Sequence, residues 1–92
     1  MFSLKNKVAV VTGASRGIGK SIAEVFAKAG AHVSCISRNK DTLNNVVKSI
    51  VSNGGSASIN AFNVSKSIEF QDNINDIVKK YGTIDILVNN AG

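Results

Sequence analysis

Val8-Ala9-Val10-Val11-Thr12-Gly13-Ala14-Ser15-Arg16-Gly17-Ile18-Gly19 is the stretch on which the reading of this chain depends. Four apolar residues, three of them valine, run into a turn holding three glycines, and an amphipathic pattern follows. A short valine-rich run closed by glycine predicts a strand buried on both faces, as in a parallel sheet. The glycines divide the work of the turn: one lets the chain reverse sharply, one lets backbone approach a ligand, one lets the helix sit tightly on the strand. The first amides of that helix lack intrahelical partners and, with the helix dipole, favour a pyrophosphate. The competing reading is a tight turn with no ligand. The spacing Thr-Gly-x-x-x-Gly-x-Gly also differs from the Gly-x-Gly-x-x-Gly dinucleotide fingerprint.

Outward from the turn, strand and helix patterns alternate. Ile18, Ile22, Val25, Phe26 and Ala29 predict the apolar face of a helix over Ile18 to Ala29, with Gly30 as its stop. His32 to Ser37 reads as a second strand, in which Cys35 packs in or beside the sheet and His32 is a surface residue at the entrance. Asp41 or Thr42 is expected to cap a helix from Thr42 to about Asn53, buried through Leu43, Val46, Val47, Ile50 and Val51. Ser58 to Val64 reads as a third strand. Ser65 then caps a helix carrying Phe70, Ile74, Ile77, Val78 and Tyr81, which Gly82 ends before a fourth strand over Ile84 to Val88. This β-α-β-α-β-α-β alternation predicts an α/β fold: a doubly wound parallel sheet with helices on both faces. Strand order 3-2-1-4 would put a ligand crevice beside the glycine turn.

The turn, together with Asn89-Asn90-Ala91-Gly92 after the fourth strand, resembles the two N-terminal signatures of the short-chain dehydrogenase/reductase family. The resemblance covers the whole chain but only the front third or so of a typical member. It implies a Rossmann-type dinucleotide domain of which residues 1–92 are the N-terminal part. Gly13, Ala14, Ser15, Arg16, Gly17, Ile18 and Gly19 would then cradle the cofactor, with Asn90, Ala91 and Gly92 against its ribose. Asn89 would instead tie neighbouring strands through backbone hydrogen bonds.

Folds of this kind read the adenosine ribose at the end of the second strand, where a carboxylate accepts from the 2′-hydroxyl of NAD and repels the 2′-phosphate of NADP. Ser37-Arg38 stands there instead, and Arg16 can reach the same region. A guanidinium–phosphate bond contributes roughly 1.5–3 kcal/mol, at least about tenfold in affinity. NADP(H) is the expected cofactor; the alternative is that both arginines are solvated cations. Asn63-Val64 replaces the Asp-Val common in the family near the adenine. The Asn63 amide oxygen can still accept, although a turn asparagine reads equally well.

Carbonyl reduction needs an acid at the substrate oxygen. The resemblance implies a tyrosine, a lysine four residues later and a serine, all downstream of Asn-Asn-Ala-Gly. Tyr81 is the only tyrosine here, and Asp85 stands four residues after it. No catalytic residue and no metal-ligand spacing is assigned. The expectation is a cofactor-binding piece of a longer enzyme, nearest to 3-oxoacyl-[acyl-carrier-protein] reductases. Its substrate would be a small-molecule or acyl-carrier-protein-linked carbonyl, and the parent a homodimer or homotetramer. Sugar, steroid and general carbonyl reductases share this front end, and a self-contained, non-catalytic nucleotide-binding module is the reading from another class.

Composition bounds the rest. Ninety-two residues, 43% hydrophobic and 18% charged, make at most one small globular domain. The net charge of +5 comes from eleven scattered cations, with Lys79-Lys80 the one adjacent pair, and the five aromatics never adjoin. That distribution offers no nucleic-acid footprint. No apolar run has transmembrane length, and Met1 to Lys7 leads into a strand without the features of a secretory signal. One cysteine agrees with a reducing cytoplasm.

Overall fold

Every residue of Val8–Thr12 (β1) is buried, and the alternation of a strand sends its side chains to two different cores. Ala9 and Val11 join Val33, Cys35, Leu43, Val46 and Ile50 on one side, while Val8 and Val10 join Ile36 and Ile77 on the other. In the computed structural model, which describes residues 3–61 and 67–90, the remaining elements are α1 (Gly17–Lys28), β2 (His32–Ser37), α2 (Lys40–Ser52), β3 (Ser56–Ala61), α3 (Ser67–Tyr81) and β4 (Ile86–Val88). The strands are parallel, in the order β3-β2-β1-β4. Helices α1 and α2 cover one face and α3 the other. This is the doubly wound α/β sheet expected from the alternation of patterns.

The register places Val8 opposite His32 and Thr12 opposite Ile36, so the glycine turn leaves β1 one residue before β2 ends. The chain reverses at residues that tolerate a left-handed backbone. Gly30 (φ 108°) closes α1, and its amide donates to the Ala27 carbonyl. Gly82 (φ 88°) closes α3, its amide donating to the Val78 carbonyl at 2.7 Å.

Several boundaries and faces differ from expectation. The buried stripe of α1 is Gly19, Ala23 and Ala27 at i, i+4 and i+8, whereas Ile18 is 70% and Val25 57% exposed. Small side chains let the helix backbone lie close to the sheet, and the larger ones are displaced to its flanks. Helix α2 begins at Lys40, and its cap is Asn39, neither Asp41 nor Thr42: Asn39 Oδ1 accepts from the Thr42 amide at 3.1 Å. Strand β3 starts two residues earlier than expected and ends at Ala61; Val64 and the cap assigned to Ser65 lie outside the described residues. Strand β4 has three residues, because the amide and carboxylate of Asp85 bond Val8 across the strand start at 2.8 Å each in place of a continued ladder.

His32 is also not a free surface residue. Its ring stacks on Tyr81 (centroids 4.3 Å apart) and bonds Ser56 Oγ at 2.6 Å and Ser58 Oγ at 3.1 Å. Ser58 in turn bonds the fully buried Ser34 hydroxyl at 3.2 Å. Among the described residues, no helix is long and apolar enough to cross a membrane.

Candidate cofactor site

The site is built where β1 and β4 end together. Thr12 is buried, and its hydroxyl oxygen accepts the Asn90 amide at 2.8 Å. The same hydroxyl lies 3.3 Å from the Val88 carbonyl and from Asn89 Oδ1, either of which can accept its proton. One side chain thus fastens the Asn89-Asn90 segment beside the glycine turn. Asn89 meets the neighbouring strand through its side chain, whose Oδ1 faces the Thr12 hydroxyl.

The turn then folds over this junction. Gly13 and Gly17 adopt φ of 64° and 60°, a region unfavourable for residues with a Cβ. Gly19 is constrained by space: a Cβ there would overlap the Gly13 carbonyl and come within 2.8 Å of Asn90 Nδ2. Such a packed, Cβ-free cradle exposing the first amides of α1 fits a pyrophosphate. Arg16 takes the N-cap position in extended conformation and borders a cleft shared with Ser37 and Arg38.

A second wall comes from β2. The Ala14 amide donates to the Ile36 carbonyl at 3.2 Å, and Ser37 Oγ donates to Ser15 Oγ at 3.0 Å while accepting the Asn39 amide at 3.2 Å. These bonds bring Ser15 and Arg16 face to face with Ser37 and Arg38 across an open cleft of about 650 Å³. No carboxylate ends β2; the acid that borders the cleft, Asp41, belongs to the first turn of α2. Of the residues assigned from sequence, the structure gathers Gly13 through Gly19 with Ser37, Arg38 and Asn90. Asn63, Val64, Ala91 and Gly92 lie outside the described residues. Sequence reasoning missed Thr12 as the fastener and Lys40 as a cleft residue. Lys40 was lost because the helix was started two residues late; Asn39, three residues before Thr42, was the available capping signal.

Tyr81 sits at the other end of the sheet, packed against the Val8, Val10, Ile36 and Ile77 core and stacked on His32. Cys35 is wholly buried, and burial pushes its thiol up to about 12, so it is a packing residue without thiolate chemistry.

An open-ended parallel sheet with a glycine cradle at the strand order reversal defines a nucleotide-binding α/β protein. Residues 7–92 match the sequence model of the short chain dehydrogenase family, and the chain belongs to that family. It is 46% identical over its whole length to an uncharacterized oxidoreductase, YxbG, of Bacillus subtilis, covering 34% of that protein. Over 95% of its length it is 43% identical to the 3-oxoacyl-[acyl-carrier-protein] reductase FabG of Staphylococcus epidermidis, covering 36% of that protein. A metagenomic short-chain oxidoreductase solved in complex with NADP superposes with a TM-score of 0.94 at 42% identity, over 97% of this chain and 40% of that one. The chain therefore spans about a third of the length of the curated relatives it matches.

Proposed function

We propose that this chain is the cofactor-binding front of an NADPH-dependent oxidoreductase that interconverts a carbonyl and an alcohol. The observation that carries the cofactor choice is the cleft at the end of β2, bordered by Ser37, Arg38 and, across it, Arg16, where an NAD-type site needs an acid. When bound, NADPH supplies the hydride for the carbonyl carbon. The chain's own part is to hold that cofactor. The α1 amides and glycine turn take the pyrophosphate, the two arginines with Ser37 take the 2′-phosphate, and Asn63 accepts from the adenine amino group. Asn90, Ala91 and Gly92 lie along the ribose.

For the whole protein we take a 3-oxoacyl group on acyl carrier protein as substrate, reduced in the cytoplasm by a homodimer or homotetramer. The Staphylococcus relative supports that choice by its name and its 43% identity. The acid at the substrate oxygen would be a tyrosine downstream of Gly92.

Replacing Arg38 by alanine in the whole protein is expected to raise the KM for NADPH about tenfold or more, with little change for NADH. Steady-state kinetics with an acetoacetyl thioester measures both; equal changes for the two cofactors would take Arg38 out of the 2′-phosphate site.

A further inference from the structure

A second group of side chains comes together where β2 and β3 begin, at the opposite end of the sheet from the glycine turn. His32 is half-buried at the start of β2, its ring stacked on Tyr81 with centroids 4.3 Å apart. Ser56 opens β3 and is exposed, its hydroxyl oxygen 2.6 Å from His32 Nδ1. Ser58 Oγ lies 3.1 Å from Nε2 and 3.2 Å from the buried Ser34 hydroxyl. The two distances assign the ring proton. Hydroxyl donors make bonds of roughly 2.5–3.0 Å to oxygen, and N–H donors bonds of roughly 2.7–3.2 Å. The short contact at Nδ1 is therefore one in which Ser56 donates, and at the longer one the Nε2–H donates to Ser58. Nδ1 is left as an acceptor facing an exposed hydroxyl, while Ser58 and the Tyr81 stack fix the ring in that orientation. A serine bonded to a base that a third group orients is the arrangement that activates a nucleophile.

We propose that Ser56 and His32 form a nucleophile–base pair that takes an acyl group from an acyl thioester, leaving Ser56 O-acylated. The inference is independent of the cofactor reading. Ser56 Oγ attacks the acyl carbonyl carbon, its proton passes to His32 Nδ1, and the carbon–sulfur bond breaks. His32 then gives the proton to the departing thiolate, so that a serine hydroxyl and a thioester become a serine ester and a free thiol. The base is available because burial, and secondarily the Lys80 ammonium, lower its pKa from 6.5 and keep the ring neutral. The groups that face the ring are Tyr81 and Lys80 on α3, Ser56 and Ser58 on β3 and, through Ser58, Ser34 on β2. None of these is a carboxylate, so the imidazolium formed in transfer lacks the anion that steadies it in a Ser-His-Asp triad. That restricts the donor to one with a good leaving group, such as a thiol of ordinary pKa about 8.5, and excludes amides. It also makes the transfer a slow, single modification.

The test exposes the full-length protein to acetyl-coenzyme A and, as a faster probe, to p-nitrophenyl acetate. The acetyl group is located by peptide mass spectrometry, and melting temperatures are recorded for every variant. Ser56 is expected to be labelled about 10- to 100-fold faster than other exposed serines, at or below the low end for general-base catalysis because no carboxylate backs the ring. His32→Gln should bring that rate down to the level of the other serines, and Ser56→Ala should remove the label. With p-nitrophenyl acetate the wild-type rate at Ser56 should stay level from pH 8 to pH 6.5 and fall only as the pH passes the lowered value of His32. A rate that instead rises in proportion to hydroxide over that range would overturn the role of His32, and this readout holds even if His32→Gln fails to fold. Labelling of Ser56 that His32→Gln leaves unchanged would overturn the pair as well. So would acetylation confined to lysines, Lys80 among them, with Ser56 unmodified.

Discussion

Gly17 and Gly19 stand two residues apart in one turn and are required for unlike reasons. Gly17 has open space around it and a φ of 60°, so a methyl group there meets only backbone strain, about 1–2 kcal/mol. Gly19 has no positive φ but no room, with the Gly13 carbonyl in the way and Asn90 Nδ2 at 2.8 Å. A backbone carbonyl cannot rotate aside as a side chain would, so Gly19→Ala must push α1 off the sheet or distort the turn. We expect Gly19→Ala to cost about 2–3 kcal/mol, at the upper end for overpacked sites, and to abolish the stabilisation by NADP⁺. Gly17→Ala should cost less. Urea midpoints with and without NADP⁺ measure both; equal losses for the two variants would refute the distinction.

Elements obey their sequence patterns unevenly. The strand order follows from valine-rich runs and glycine stops, and β2 occupies the residues its pattern marks, His32–Ser37. The face of α1 is not legible in the same way, since hydrophobicity singles out Ile18 and Val25 while proximity to the sheet selects Gly19, Ala23 and Ala27. The tight glycine turn and the placement of Arg16 opposite Arg38 could be read, because the glycines close a buried strand and the arginines stand just past two neighbouring strand ends. Lys40 and Thr12 could not, because their places depend on where a helix begins and on a segment 76 residues further along the chain. The same holds for His32, which couples β2 to β3 and α3 through two serines and the Tyr81 ring. Burial, and secondarily the Lys80 ammonium, lower its pKa from the ordinary 6.5. The unfolded chain therefore binds the proton more readily than the folded one. The stabilisation from neutral His32 is complete above pH 6.5, declines as the pH falls below that value, and is gone once the pH passes the lowered folded value. Denaturant midpoints of wild type minus His32→Gln, measured from pH 8 to pH 5, should fall towards acid. A difference that stays level would show that His32 is not held neutral.

At the scale of the molecule, one flank of the sheet is thinly covered. Leu87 on β4 is 53% exposed, and Ile18, Ile22, Val25, Phe26 and Val88 line an apolar groove of about 560 Å³ beside it. Among the described residues β4 pairs only with β1, so its outer backbone groups are an open template for another strand. Full burial of a large aliphatic side chain contributes about 1.5–3 kcal/mol, and stabilities of small domains are only about 5–15 kcal/mol. Residues 1–92 expressed alone are expected to self-associate as concentration rises, with a broad thermal transition. Sedimentation as a single monomer, together with a sharp melt in the absence of nucleotide, would contradict this and favour a self-contained module.

β1 is the inner strand of the reversal, paired along both edges and buried on both faces. Opening it requires breaking both ladders and both cores, so it belongs to the slowest unit of the protein to exchange with solvent. The pyrophosphate cradle grows directly from that strand. The opposite wall of the cleft is exposed: Arg38 and Asn39 form the chain between β2 and α2, and Lys40 opens α2. A nucleotide bound as proposed would have its two ends held by parts of the protein that keep different time, its phosphates on the slow wall and its adenosine end on the fast one.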